Sequence, residues 1–245
     1  MRVPRLCIPT PLASEIDIAL PPEQVHYLRS VLRLPIGAEV VVFDGQGLEC
    51  RGIIDMLGRQ DGRIRLTASP VAPERESPLQ ITLLQGISRG ERMDLVMQKA
   101  VELGVARIVP VICARTGVRL SAERAAKRQL HWRGILAHAA AQCGRARLPI
   151  LSEVLSLNDA VELPDLDTHL RLMLEPRAEH GFQQWGTPRS VALLIGPEGG
   201  LDDQEQLIAR RHDFHGLRLG PRVLRTETAA LAALAVLQTH WGDLR

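Results

Sequence analysis

Three short segments of this chain combine residue types and spacings suited to chemistry. Gly196-Pro197-Glu198-Gly199-Gly200 places three glycines and a carboxylate directly after the apolar run Val191–Ile195. Glycine accepts positive φ and lets backbone approach a ligand closely, so such a loop can wrap a flat molecule with its own N–H and C=O groups. A tight strand-to-helix turn would use the same residues. The second segment, Leu219-Gly220-Pro221-Arg222-Val223-Leu224-Arg225-Thr226-Glu227-Thr228, sets two arginines and a carboxylate ahead of an Ala-rich stretch. Thr226 suits a helix N-cap, with Glu227 and Thr228 in the first turn. Arg225 is then a cation beside the positive end of a helix, a misplacement that an anionic ligand, an RNA phosphate or an ion pair to Glu198 or Glu227 would offset. The third segment, Leu174-Glu175-Pro176, closes another apolar run. Neither GxGxxG nor GxxxxGK[ST] occurs, which argues against an ordinary dinucleotide enzyme or nucleoside triphosphatase.

These segments need a framework that brings strand ends together. From residue 79 onward strand and helix patterns alternate. Strands are predicted at Gln80–Ile87, Arg107–Cys113, Ile150–Val154, Thr168–Leu174, Val191–Ile195 and Leu217–Leu219. Helices are predicted at Glu91–Leu103, from Ser121 to about Gln142, at Asp202–Arg211 and at Glu227–Trp241. The alternation predicts an α/β fold with a mostly parallel sheet covered on both faces, and such sheets bind ligands at the carboxyl ends of their strands. The first 70 residues read instead as a small antiparallel barrel. Its strands are Glu39–Phe43, Leu48–Met56 and Arg63–Ala68, with one helix over Pro21–Leu34. Prolines 70, 73 and 78 mark a linker, so the expected domains are 1–70, a 71–78 connection and 79–245.

Composition narrows the function classes. An apolar content of 45% fills a core, and no apolar run is long enough to cross a bilayer or form a signal peptide. Cys7, Cys50, Cys113 and Cys143 lie far apart with no CxxC spacing, so reduced thiols in a metal-free, cytoplasmic protein are expected. The net charge of +2 is uninformative, but Arg115, Arg119, Arg124, Lys127, Arg128, Arg133, Arg145 and Arg147 face one acid, Glu123, in the same stretch. That stretch suits a polyanion, although a solvated helix face would look the same. Aromatics at 3% argue against a base-stacking surface.

Gly196–Gly200 followed by Leu219–Ala230 resembles the C-terminal signature of the 16S rRNA uridine-N3 methyltransferase family, within the SPOUT superfamily. Arg92-Met93-Asp94 through Gln98–Val105, Ala140–Arg145, and His26-Tyr27-Leu28 with Val31–Leu34 extend the likeness over nearly the whole chain. Arg89 departs from the family, which often carries Lys there. The resemblance implies a PUA-like RNA-binding N-terminal domain and a C-terminal SPOUT domain with a deep trefoil knot, which periodicity could not show. It implies S-adenosyl-L-methionine as cofactor, held by Leu174, Glu175, Ile195, Gly196, Pro197, Gly199, Gly200, Leu219, Gly220, Leu224 and Thr226. A homodimer is implied as well, with the final helix (Leu231, Leu234, Ala235, Leu237) as a dimer surface unless that stripe is core.

The implied reaction is methylation of N3 of a uridine in 16S rRNA, with the small ribosomal subunit as partner. N3 lies on the Watson–Crick edge, so the base must be unpaired or flipped out. Catalytic roles fall to Arg225, stabilising the uracil anion or orienting the base, and to Glu198 or Glu227 as proton acceptor. RNA contacts are expected from Arg29, Arg33, Arg89, Arg92, Arg128, Arg133, Gln142, Arg145, Arg147 and Arg222. Two rivals stay open: a SPOUT methyltransferase of other specificity (ribose 2′-O or another base nitrogen), and a non-catalytic RNA-binding or ribosome-assembly module.

Overall fold

The computed structural model describes residues 3–8, 11–12, 17–117, 121–166, 170–179 and 181–244. The chain divides into two compact units, Met1–Glu76 with Ala137–Leu148, and Ser77–Leu136 with Pro149–Arg245.

The first unit holds β1 (Arg5–Cys7), β2 (Asp17–Leu20), α1 (Pro22–His26), β3 (Glu39–Phe43), β4 (Glu49–Leu57) and β5 (Gly62–Leu66) in a curled sheet of order β1-β3-β4-β5-β2. All pairings except the parallel β1–β3 are antiparallel. Alternate residues of β2 and β5 point inward, the period-two pattern of a half-buried strand, and Val25, Leu28, Val40, Val42, Ile54 and Ile64 close the core. Two strands escaped the sequence reading. β1 is three residues long between Pro4 and Pro9, and β2 four, too short for alternation to register. The helix expected over Pro21–Leu34 is shorter. α1 passes into a π turn over Tyr27–Val31, and the Leu32 N–H bonds back to the Tyr27 carbonyl. Arg33 then adopts φ +52°, and Pro35 disfavours helical geometry at Leu34.

The second unit is an α/β layer structure. Its strands are β6 (Gln80–Gly86), β7 (Arg107–Ile112), β8 (Ile150–Leu151), β9 (Leu155–Ser156), β10 (Leu170–Leu174), β11 (Ser190–Ile195) and β12 (His215–Leu217). Its helices are α2 (Glu91–Glu102), most of α3 (Ala122–Cys143), α4 (Leu157–Val161), α5 (Asp203–Arg211) and α6 (Thr226–Trp241). The sheet order is β12-β10-β11-β6-β7-β8, with β9 also on β7, and every pairing is parallel. The centre of the sheet, β6 and β11, is covered on both faces, so its residues read as continuous apolar runs rather than alternating ones.

Departures from expectation sit at the edges. Of the run Ile150–Val154 only Ile150–Leu151 is strand (β8); β9 follows just beyond the run, and then the unpredicted α4 with its N-terminus capped by the Ser156 hydroxyl. β10 is described from Leu170; Thr168 and His169 of the expected strand lie outside the described residues. The last strand ends at Leu217, not Leu219, which leaves Arg218–Leu224 without regular structure. On α6, Leu234 and Leu237 are fully buried within the chain, so core packing accounts for that part of the stripe. No helix among the described residues is long and apolar enough to cross a membrane.

Candidate active site

Because β10, β11 and β12 are parallel neighbours, their carboxyl ends deliver Leu174–Arg177, Ile195–Leu201 and Leu217–Leu224 to one place. There they enclose a cavity of about 670 Å³, completed by Arg115, the start of α5 and the start of α6. That volume suits a small organic ligand or cofactor. Every residue expected from the sequence to hold the cofactor lines it, as do Glu198 and Arg222, whereas Arg225 and Glu227 do not. Among the described residues, no backbone group from Leu219 to Leu224 pairs with another backbone group. A loop of unpaired donors and acceptors along a cavity wall is what a ligand read by main chain requires. The facing loop is self-braced: the Gly200 N–H donates to the Pro197 carbonyl at 2.8 Å, and Gly200 sits at φ +70°, left-handed geometry that glycine takes without strain.

The start of α6 differs from expectation. Arg225, not Thr226, occupies the N-cap position, and no side chain caps the helix. Thr226 is buried, and its hydroxyl donates to the Gly196 carbonyl at 2.7 Å while accepting from Gln85 Nε2 at 3.1 Å. Sequence reasoning missed Gln85 and Gly86 altogether. Their signal was there, a primary amide and a glycine closing a strand directly after the apolar pair Leu83-Leu84. A Cβ on Gly86 would lie 2.4 Å from the Pro197 nitrogen, so only glycine lets β6 approach the loop.

The charged groups are also distributed unexpectedly. Arg92 of α2, expected to face RNA, reaches Glu198 at 3.2 Å and Glu227 at 3.9 Å. The Arg89 N–H donates to Glu198 at 2.9 Å as well. Burial pushes the Glu198 carboxyl up, but these donors and its own N–H outweigh that and hold it below the ordinary value of 4.5. A carboxylate stabilised as an anion by these donors is a weaker proton acceptor than a free one. Glu227 keeps Oε2 buried without a hydrogen-bond partner among the described residues. The ion pair considered for Arg225 does not form: its side chain is exposed, and both carboxylates belong to Arg92. Glu175 at the end of β10 is held by Arg210 at 2.7 Å, and Arg115 binds the Gly199 carbonyl at 3.0 Å.

Comparison with known proteins bears on this arrangement. Residues 75–238 match the RNA methyltransferase domain family and residues 20–66 the RNA methyltransferase PUA domain. The ribosomal RNA small subunit methyltransferase E of Buchnera aphidicola (from Schizaphis graminum) is 30% identical, over 99% of this chain and 98% of that protein. The chain belongs to the ribosomal RNA small subunit methyltransferase E family. A solved Legionella pneumophila methyltransferase with bound cofactor SAM superposes at a TM-score of 0.94, with 40% identity over the whole of both chains. The Neisseria gonorrhoeae member, bound to S-adenosyl methionine, superposes at 0.91 with 35% identity, again over both chains entirely.

In this methyltransferase the arginines named for RNA fall on both units and differ in availability. Within the first unit Arg33 and Arg147 are exposed, as is Gln142, while Arg29 makes only a long 3.4 Å contact to the Gly58 carbonyl. Arg145 is different: it is 5% exposed and both Nε and Nη2 bind Glu76, at 3.1 and 2.7 Å. Its charge is committed inside the unit, where burial of an unpaired guanidinium would be costly. Within the second unit Arg89, Arg133 and Arg222 are exposed and Arg128 half-buried. Arg115 and Lys127 of the basic stretch are engaged by loop carbonyls and by Glu123, and Arg119 lies outside the described residues. Among the described residues no cluster of His, Cys, Asp or Glu is placed to hold a metal. Burial raises the Cys113 thiol to about 12, with Glu205 and Asp202 adding to it, so it stays protonated and unreactive.

Proposed function

We propose that this methyltransferase carries the methyl group of S-adenosylmethionine to N3 of a uridine in small-subunit ribosomal RNA, as a homodimer. The observation that carries the reading is the cavity at the carboxyl ends of β10, β11 and β12, walled by the three segments that the sequence singled out. The cavity fits the cofactor in size and in donor set, because the unpaired main chain of Leu219–Leu224 faces the braced Gly196–Gly200 loop across it. When bound, the cofactor supplies an electrophilic methyl on a sulfonium.

The remaining work falls to the protein. Backbone near Leu174, Gly196 and Leu219–Leu224 would hold the cofactor's adenine. Arg225, exposed beside the cavity wall and without an ion-pair partner among the described residues, stabilises the negative charge that develops on the uracil ring as N3 loses its proton. Of the two carboxylates, Glu198 is engaged by Arg89 and Arg92, and Glu227 keeps the oxygen left over to take the proton. The first unit, matched by the PUA domain over residues 20–66, grips RNA phosphates through Arg29, Arg33 and Arg147. Arg89, Arg128, Arg133 and Arg222 do so on the second unit.

The test combines purified protein, labelled S-adenosylmethionine and small ribosomal subunits lacking native methylation, with digestion of the RNA to nucleosides. Label in N3-methyluridine is expected. Label in any other nucleoside overturns the target atom, and no label with cofactor bound overturns the RNA substrate.

A further inference from the structure

Gln85 is fully buried, at 0% exposure, in a strand where Ile81, Leu83 and Leu84 are also fully buried. A primary amide away from water must find partners within the protein. The amide nitrogen does so fully: Nε2 donates to the Gly86 carbonyl at 3.1 Å and to the Thr226 hydroxyl at 3.1 Å, while Oε1 is buried with no hydrogen-bond partner among the described residues. Thr226 in turn gives its one hydroxyl proton to the Gly196 carbonyl at 2.7 Å. The directions are forced. A carbonyl only accepts, and a hydroxyl whose proton is used on Gly196 can only accept from the amide. A directed chain of hydrogen bonds therefore runs from the end of β6, through the first residue of α6, to the first loop residue after β11.

The residue after Gly196 gives that end point its leverage. Pro197 has no N–H and a fixed φ, so orienting the Gly196 carbonyl orients the peptide from which Glu198, Gly199 and Gly200 extend. Gly86, next to Gln85, touches the same peptide from below, with a Cβ position only 2.7 Å from the Gly196 carbonyl carbon. Gln85 itself does not line the cavity.

We propose that Gln85 is a positioning residue of the cofactor site, acting through Thr226 to hold the Gly196–Gly200 wall in the shape that receives S-adenosylmethionine. This rests on the reading that the cavity binds that cofactor. Gln85 touches no reacting atom, and its part is to remove a rotation of the loop that binding would otherwise have to freeze.

The experiment measures S-adenosylmethionine affinity of the full chain by calorimetry, with thermal unfolding and turnover beside it, for Gln85→Glu, Thr226→Val, Thr226→Ser and Ser77→Ala. Gln85→Glu keeps the shape and turns a donor into an acceptor facing two acceptors. Thr226→Val keeps the shape and deletes the hydroxyl, and Thr226→Ser retains it. Ser77→Ala removes a comparably buried hydrogen bond, 2.7 Å to Gln238, away from the cavity. Stranding one buried carbonyl or hydroxyl corresponds to roughly tenfold weaker binding or more for Gln85→Glu and Thr226→Val. KM for the cofactor should rise more than kcat at saturation falls. Thr226→Ser should stay within about threefold, and Ser77→Ala should lower the melting temperature with cofactor affinity unchanged. Folded Gln85→Glu and Thr226→Val proteins with wild-type affinity overturn the proposal. So does an equal loss in Ser77→Ala, which would mean general loosening. Should Gln85→Glu fail to fold, Gln85→Met, which keeps the length and deletes the amide, decides in its place, because Thr226 itself lines the cavity and Gln85 does not. Wild-type protein that binds no S-adenosylmethionine overturns the proposed function, and this inference falls with it.

Discussion

Replacing Arg145 by Met separates a structural cation from an RNA contact. The Arg145 side chain is 6% exposed and that of Glu76 30%. Removing one partner of a fully buried ion pair costs about 3–5 kcal/mol, because the other charge is stranded. Glu76 keeps part of its surface in water and also accepts from the Arg147 N–H, so it is partly resolvated and the expected loss falls to about 2–3 kcal/mol. For a chain of this size that corresponds to a melting temperature lowered by roughly 5–10 °C. The assay is thermal unfolding, paired with RNA affinity measured across a salt series below the new transition. The double variant Arg145→Met with Glu76→Gln should recover part of the loss, since no charge is then left unpaired. An unchanged melting temperature together with a shallower salt dependence would refute the reasoning and return Arg145 to the RNA surface.

The site itself yields three further expected outcomes. Arg225→Ala should reduce kcat on small-subunit RNA by about 10²-fold or more while leaving S-adenosylmethionine affinity within about twofold, and normal turnover at saturating substrate would remove Arg225 from catalysis. Glu198→Gln should destabilise at neutral pH, and the gap to wild type should close as pH falls. The folded carboxyl lies below 4.5, so its stabilisation is present above that value and lost as pH drops through the folded one; a gap that widens in acid would contradict the assignment. Arg133→Ala and Arg33→Ala should each reduce the slope of log affinity against log salt by about 0.7–1, with an unchanged slope placing that residue off the RNA.

Much of the frame was legible in local pattern. Glu39–Phe43 is a strand with the bounds its β-branched run predicts, and the expected helix at Asp202–Arg211 appears as α5 with Asp202 in a capping box with Glu205. Buried parallel strands announce themselves as apolar runs, and a helix with acids at one end and arginines at the other matches its own dipole. The short elements were not legible. β1 and β2 have three and four residues, and the π turn after α1 depends on a back-bond that no side-chain period encodes.

At the site, composition and order along the chain were enough to name the three segments, because glycine-rich turns after apolar strands are local features. Which groups those segments meet is a matter of strand order, and only tertiary structure decides it. β6 lies beside β11, so Gln85 and Gly86 come under the Gly196–Gly200 loop from more than a hundred residues away. The same packing sets Arg92 between Glu198 and Glu227 and leaves Arg225 without an ion-pair partner among the described residues. A charged side chain's partner depends on distances of a few ångströms between distant parts of the chain. Sequence reveals that an arginine is present, whereas burial and neighbours determine whether it is a ligand for RNA, a clamp on a carboxylate or, like Arg145, half of an internal ion pair.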